Sequence, residues 1–205
     1  MIILLLPKVY EYMTDKVLLV DLRDESESAF KGTFSENGYD VTKILQDIAI
    51  VDSHIKLDKN IQYLVVNIES PNEMIFSGLE KLANKYSIPI VVFSKTSTQR
   101  FTEAAATIGL SAYIVNGFVP DRIKHILDLA KARFKEVKSM KEELEKTKSI
   151  LADRKVIEKA KGILMRRRTI DEDSAFRMMR KMAMDKNQKL SEVASSIINA
   201  DTLFN

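Results

Sequence analysis

The chain of 205 residues contains no cysteine, and that one absence removes both disulfides and thiolate metal sites. Histidine is almost missing as well: His54 and His125 stand alone, without the spacing of a ligand set, so no metal site is expected. Only 6 glycines are present, and none forms a phosphate-cradling loop after a strand. No nucleophile, base and orienting group can be assembled either, so the sequence predicts neither catalytic residues nor a cofactor. Long apolar runs are lacking too. The run at residues 2–6 follows no cationic segment and leads to no small-residue cleavage pattern, so neither a signal peptide nor a membrane span is expected, and the expected location is cytoplasmic. Met13 could serve as an alternative start, in which case residues 1–12 add nothing to function.

What is present is enough apolar residue for a substantial core: 45% hydrophobic content with 30% charge, at a length that suits one larger domain and one small one. From Lys16 onward, runs rich in Val, Ile and Leu alternate with helical patterns. The expected strands are Val17–Val20, Val41–Leu45, Tyr63–Ile68, Ile90–Phe93 and Ala112–Val115; helical stretches at Glu25–Asn37, Ser77–Tyr86, Gln99–Ile108 and beyond Pro120 lie among them. Continuous apolar strands separated by helices predict an α/β fold with a parallel sheet covered on both faces. In such a doubly wound five-stranded sheet, ligands collect at the carboxyl ends of the strands, so Asp21, Asn67, Ser94 and Asn116 are expected to converge on one pocket.

Beyond the sheet, Leu127, Ala130, Phe134, Val137, Leu144 and Leu151 recur at three- and four-residue steps and their multiples, and Ala130, Val137, Leu144 and Leu151 are spaced by sevens. This is a heptad seam, interrupted by Lys141 and Lys148, and it predicts a coiled-coil linker helix able to form a homodimer. The segment Phe134–Lys155 has no Gly or Pro and should be one continuous helix.

The net charge of +3 conceals an asymmetry. Residues 153–205 carry 12 Lys or Arg against 8 Asp or Glu, a net +4 that leaves the first 152 residues near −1. In a helix from Asp153 to Arg168, Val156, Ile157, Ala160, Ile163 and Leu164 form one apolar stripe, while Lys155, Lys161, Gly162, Met165 and Arg166 face away. Glycine costs a helix interior about 1 kcal/mol relative to alanine, so one set among exposed cations points to close backbone approach by a phosphate-bearing partner. Thr169-Ile170-Asp171-Glu172 then reads as a capping box. The next helix buries Ala175, Phe176, Met178, Met179, Met182 and Ala183 and turns Arg177, Arg180, Lys181 and Met184 outward. A third helix, Ser191–Asn199, has no Lys or Arg, which argues against a DNA-reading helix-turn-helix. Arg166, Arg177 and Arg180 are the candidate base readers; Lys155, Lys159, Lys161 and Lys181 suit phosphates, with Gly162 and Met165 allowing close approach.

Two resemblances follow from these residues. The tail, through Ala160-Lys161-Gly162-Ile163-Leu164-Met165, Asp173-Ser174-Ala175-Phe176 and Met179-Arg180-Lys181-Met182-Ala183-Met184, resembles an ANTAR domain. The front resembles a response-regulator receiver, and in Asn67-Ile68-Glu69-Ser70-Pro71 and Ser111-Ala112-Tyr113-Ile114-Val115-Asn116-Gly117 it is similar to the receiver of NasT-type antiterminators. The resemblance implies a flavodoxin-like (CheY-like) domain at residues 14–133, a coiled-coil linker at 134–152 and a three-helix all-α RNA-binding domain at 153–200. It further implies an antitermination regulator that grips stem-loops in leader mRNA, acts on the RNA polymerase complex indirectly and serves nitrate and nitrite assimilation.

Of the receiver's reactive positions only Asp21 and Ser94 fit. Asn67 stands at the phosphoacceptor position, where an amide cannot form an acyl-phosphate, and the loss of acidic charge weakens any hold on magnesium. Tyr113 occupies the place of the receiver's switching aromatic. A nitrate-sensing inhibitory protein is therefore the implied control rather than a kinase. The competing readings are a DNA-binding response regulator and a protein–protein adaptor built on a pseudo-receiver.

Overall fold

The computed structural model describes residues 14–23, 27–116 and 118–203. Residues 1–13, Glu25 and Gly117, which the sequence reading used, lie outside that set.

Five strands, β1 (Lys16–Asp21), β2 (Asp40–Leu45), β3 (Tyr63–Ile68), β4 (Ile90–Ser94) and β5 (Ala112–Val115), form one parallel sheet in the order β2-β1-β3-β4-β5. Every residue of β3 and β4 is buried, because a parallel sheet covered on both faces has no solvent side; their side chains are apolar except at the carboxyl ends, where Asn67 and Ser94 stand, and for the Tyr63 hydroxyl. Alternation then divides them. Leu18, Val20, Leu64, Val66 and Val92 join Phe76, Leu79 and Leu82 on one face, whereas Val17, Leu19, Val65, Val91 and Phe93 join Phe34, Ile123 and Leu127 on the other.

The helices are α1 (Glu27–Glu36), α2 (Val51–Leu57), α3 (Glu73–Lys85), α4 (Gln99–Thr107), α5 (Ile123–Arg168), α6 (Glu172–Lys186) and α7 (Leu190–Leu203). The α3 helix starts where the Asn72 side chain accepts from the Ile75 amide, and its Leu79 and Leu82 reach the sheet. Between α2 and α3, Asp52 accepts from Lys56, Lys85 and the Tyr86 hydroxyl, and these hydrogen bonds, Lys56 first, hold its carboxyl well below the usual carboxylate range. A carboxylate with a depressed folded-state pKa stabilises the fold above about pH 4, and that contribution is lost as pH falls through the folded-state value. Asp52→Asn should therefore lower the unfolding temperature at neutral pH and flatten its decline toward acid, as followed by circular dichroism between pH 7 and pH 3.

The chain divides into two compact units between Val137 and Lys138, inside the 46 residues of α5. Two seam residues of the sequence reading belong elsewhere: Leu127 and Ala130 are fully buried in the core of the sheet unit. The apolar row left exposed on α5 is Val137, Met140, Leu144 and Leu151, so the free seam starts one heptad later and takes in Met140. The Lys138–Asn205 unit packs Ala160, Met179 and Ala194 at its centre, surrounded by half-buried Val156, Ile157, Leu164, Leu190, Ile197 and Ile198. No helix among the described residues is long and apolar enough to cross a membrane.

Candidate nucleic-acid interface

The strand order reverses at β1 and β3, and their carboxyl ends put Asp21 and Asn67 in register side by side. Both are buried, as is Ser94 at the end of β4. Asp21 Oδ1 accepts from the Arg23 amide at 3.3 Å and from Arg23 Nε at 3.4 Å, while Ser94 Oγ donates to the Thr96 carbonyl at 2.6 Å. Asp21 Oδ2 and Asn67 Nδ2 are buried without a hydrogen-bond partner among the described residues. The pocket thus sets one carboxylate against one amide. One carboxylate and one amide supply little of the negative charge a hard magnesium ion needs, and among the described residues no group of three His, Cys, Asp or Glu could hold a metal.

Asn116 stands beside Ser94 at the same edge but outside the buried group. It is exposed, adopts the left-handed φ of 51° and is tied to the sheet by its amide, which donates to the Ser94 carbonyl. Tyr113 is half-buried; its ring meets Phe76 edge-on at 5.9 Å and its hydroxyl donates to Ser97 Oγ at 2.8 Å.

The second unit carries the cations. Along α5, Lys155, Lys159, Gly162 and Arg166 recur at steps of four, three and four residues and so lie on one face; the three cations are exposed, and none has an acidic partner among the described residues. A Cβ built on Gly162 would meet nothing within 4 Å, so this helical glycine answers no packing demand inside the chain. Lys161 does not belong to this face. It is only 8% exposed, and its amine donates to Glu172 at 2.6 Å and pairs with Glu158 at 2.8 Å. The carboxylates of Glu158 and Glu172 hold the amine above the usual lysine range, and Glu172 ties the start of α6 to α5. The helical wheel put Lys161 outward because it could not register that α6 covers this flank. Gly162 and Met165 are likewise half-buried rather than fully outward.

Thr169 takes a φ of 49° as the chain leaves α5, and Asp171, not Thr169, caps α6 by accepting from the Ser174 amide at 2.6 Å. A left-handed residue cannot serve as the extended N-cap of a capping box, which moves the cap two residues on. On α6, Arg177, Arg180 and Lys181 are exposed, with Arg177 Nη2 donating to Ser174 Oγ at 3.2 Å. Phe176, expected in the core, is 40% exposed beside them. The buried line of α6 is the narrow row Ala175, Met179 and Ala183, and Phe176 lies about 100° away from Ala175 on the outward flank. Sequence reasoning missed it by treating every apolar residue near the stripe as core.

Residues 145–198 match the ANTAR domain family. A curated relative, the transcriptional regulatory protein PdtaR of Mycobacterium tuberculosis, is 27% identical over 135 residues, which is 66% of this chain and 66% of the relative, so the match spans just under two thirds of that protein. Among solved structures, a CheY-like response regulator receiver domain from Methanospirillum hungatei superposes with a TM-score of 0.51 at 18% identity, covering 60% of this chain and 98% of that one. A LuxR-family DNA-binding response regulator from Staphylococcus aureus gives the same score at 12% identity, covering 57% of this chain and 98% of that one. These likenesses to solved structures bear on the fold of the front unit. The front unit therefore has a CheY-like fold, and residues 145–198 behind it match the ANTAR domain.

Proposed function

We propose that this protein is an RNA-binding transcription antitermination regulator whose tail, residues 153–200, grips stem-loops in leader mRNA and keeps a terminator hairpin from forming. The observation that carries this reading is the face of α5 on which exposed Lys155, Lys159 and Arg166 surround a helical glycine with open space above it. Cations at that spacing neutralise successive phosphates, and a glycine lets a sugar–phosphate backbone come close to the helix. The α6 cations Arg177, Arg180 and Lys181 extend the positive surface, and α7 carries no Lys or Arg, which disfavours a major-groove recognition helix.

In this reading the front unit regulates without catalysis. An amide at position 67 cannot be phosphorylated as an aspartate is, so control falls to a partner protein. The resemblance to NasT-type antiterminators makes that partner a nitrate-sensing inhibitor in the cytoplasm and makes the targets nitrate and nitrite assimilation transcripts. The exposed row Val137, Met140, Leu144 and Leu151 supports a homodimer through α5.

The test is a gel shift of the full chain with leader hairpins against duplex DNA of matched sequence, over a range of salt. Hairpin binding that weakens steeply with salt, together with readthrough of the terminator in a purified transcription reaction, is expected; preference for duplex DNA would reverse the reading. Gly162→Ala gives a second check with opposite signs. It should stabilise the tail by about 0.5–1 kcal/mol, since alanine is the better helix former and the site is open, yet weaken hairpin binding by crowding the backbone.

A further inference from the structure

On the outward side of α6, Phe176, Arg180 and Met184 stand at successive four-residue steps, with Arg177 and Lys181 next to them. Phe176 is 40% exposed and Met184 is 73% exposed. No ring and no cation stacks on Phe176 among the described residues, although aromatic pairs and cation–π contacts are frequent in the sheet unit. The ring is thus left open on a helix row that carries Arg180, with Arg177 and Lys181 beside it, and among the described residues Arg180 and Lys181 have no acidic partner.

We infer that Phe176 is a stacking platform for one unpaired base of the bound RNA, with Arg180 beside it as a second planar surface and Arg177 and Lys181 holding the flanking phosphates. The inference rests on the RNA-binding reading above and adds to it a specificity contact. An isolated exposed apolar side chain is ordinary, but a ring beside Arg177, Arg180 and Lys181 matches what a splayed nucleotide offers: an apolar π face bounded by negative charge. A fully paired duplex hides its base faces inside the stack. The occupant is therefore a loop or bulge base, and Met184 one further turn along gives its neighbour an apolar contact.

The experiment uses the full-length protein and a pool of short RNA hairpins with randomised loops, followed by the same hairpins with fluorescent aminopurine at single loop positions. Wild-type protein should select hairpins from the pool and quench aminopurine strongly at one loop position. Phe176→Tyr, which keeps the ring, should bind within about twofold of wild type, whereas Phe176→Leu, which keeps the apolar bulk, should bind about tenfold more weakly and lose the quench. The salt dependence of Phe176→Leu should stay that of wild type, because no cation has been removed. Thermal unfolding of each variant separates a lost contact from a lost fold. If Phe176→Leu is folded and binds as wild type does, or weakens while the quench persists, the platform is overturned and the RNA-binding reading stands. If wild-type protein selects no hairpin at low salt, both fall.

Discussion

Met179→Ala should cost the tail about 2–5 kcal/mol, which is a large share of the stability of so small a helical unit. Met179 is the largest side chain of the tail that is fully buried, and its closest companions in the core, Ala160 and Ala194, are too small to close over the cavity left by truncation. The six half-buried residues around them form a rim that water already reaches, so it has little further area to withdraw. Hydrogen exchange should show amides of 172–203 losing protection while the central strands β3 and β4 keep theirs, because the two units have separate cores. Met179→Leu, which conserves volume, should cost less than about 1.5 kcal/mol. A destabilisation under about 1 kcal/mol by the alanine variant would show that the three-helix core is held elsewhere.

Arg180→Ala should weaken hairpin binding by about 1–3 kcal/mol without lowering the unfolding temperature, since the side chain is exposed and makes no recorded contact in the free protein. The slope of log affinity against log salt should fall by about one if the guanidinium reaches a phosphate, and stay unchanged if it only stacks or reads a base. Lys161→Ala provides the contrast. The Lys161 side chain is largely buried and its amine joins the exposed carboxylates of Glu158 and Glu172, so its removal leaves two acids without their shared cation at the junction of α5 and α6. The expected signature is a lower unfolding temperature with an unaltered salt slope, and any loss of binding should track loss of fold. Equal binding by wild-type protein and a folded Arg180→Ala would remove Arg180 from the interface.

The sheet was legible because its signal is redundant. The central strands β1, β3 and β4 announce themselves by continuous runs rich in Val, Ile and Leu, because burial on both faces confines polar residues to their ends. Element ends were legible to within a few residues: β1 extends to Asp21, α1 is described from Glu27, and α7 starts at Leu190 and continues to Leu203. Asp21, Asn67 and Ser94 could be placed at one edge because parallel connectivity sends every strand's carboxyl end to the same side. Asn116 follows β5 at that same edge, but its exposure was not legible, since whether a residue just past a strand turns inward depends on its φ, and nothing in the sequence announces 51°.

In the tail, periodicity gave the helices but not the width of their buried faces. Lys161 and Phe176 exchanged roles relative to expectation: the cation went inside and the ring outside. A helical wheel assigns a side by residue type, whereas burial depends on which neighbouring helix covers that side, and the acids that make a buried lysine tolerable lie in one case 11 residues away in sequence.

The amino-acid order alone therefore determined the class of fold, the charge asymmetry and the presence of a three-helix cationic end, because local periodicity and composition are properties of the chain itself. Tertiary packing alone decided which cations remain free for a polyanion, that Phe176 faces water, and that the unpaired row on α5 starts at Val137, because exposure is set by contacts between segments distant along the chain.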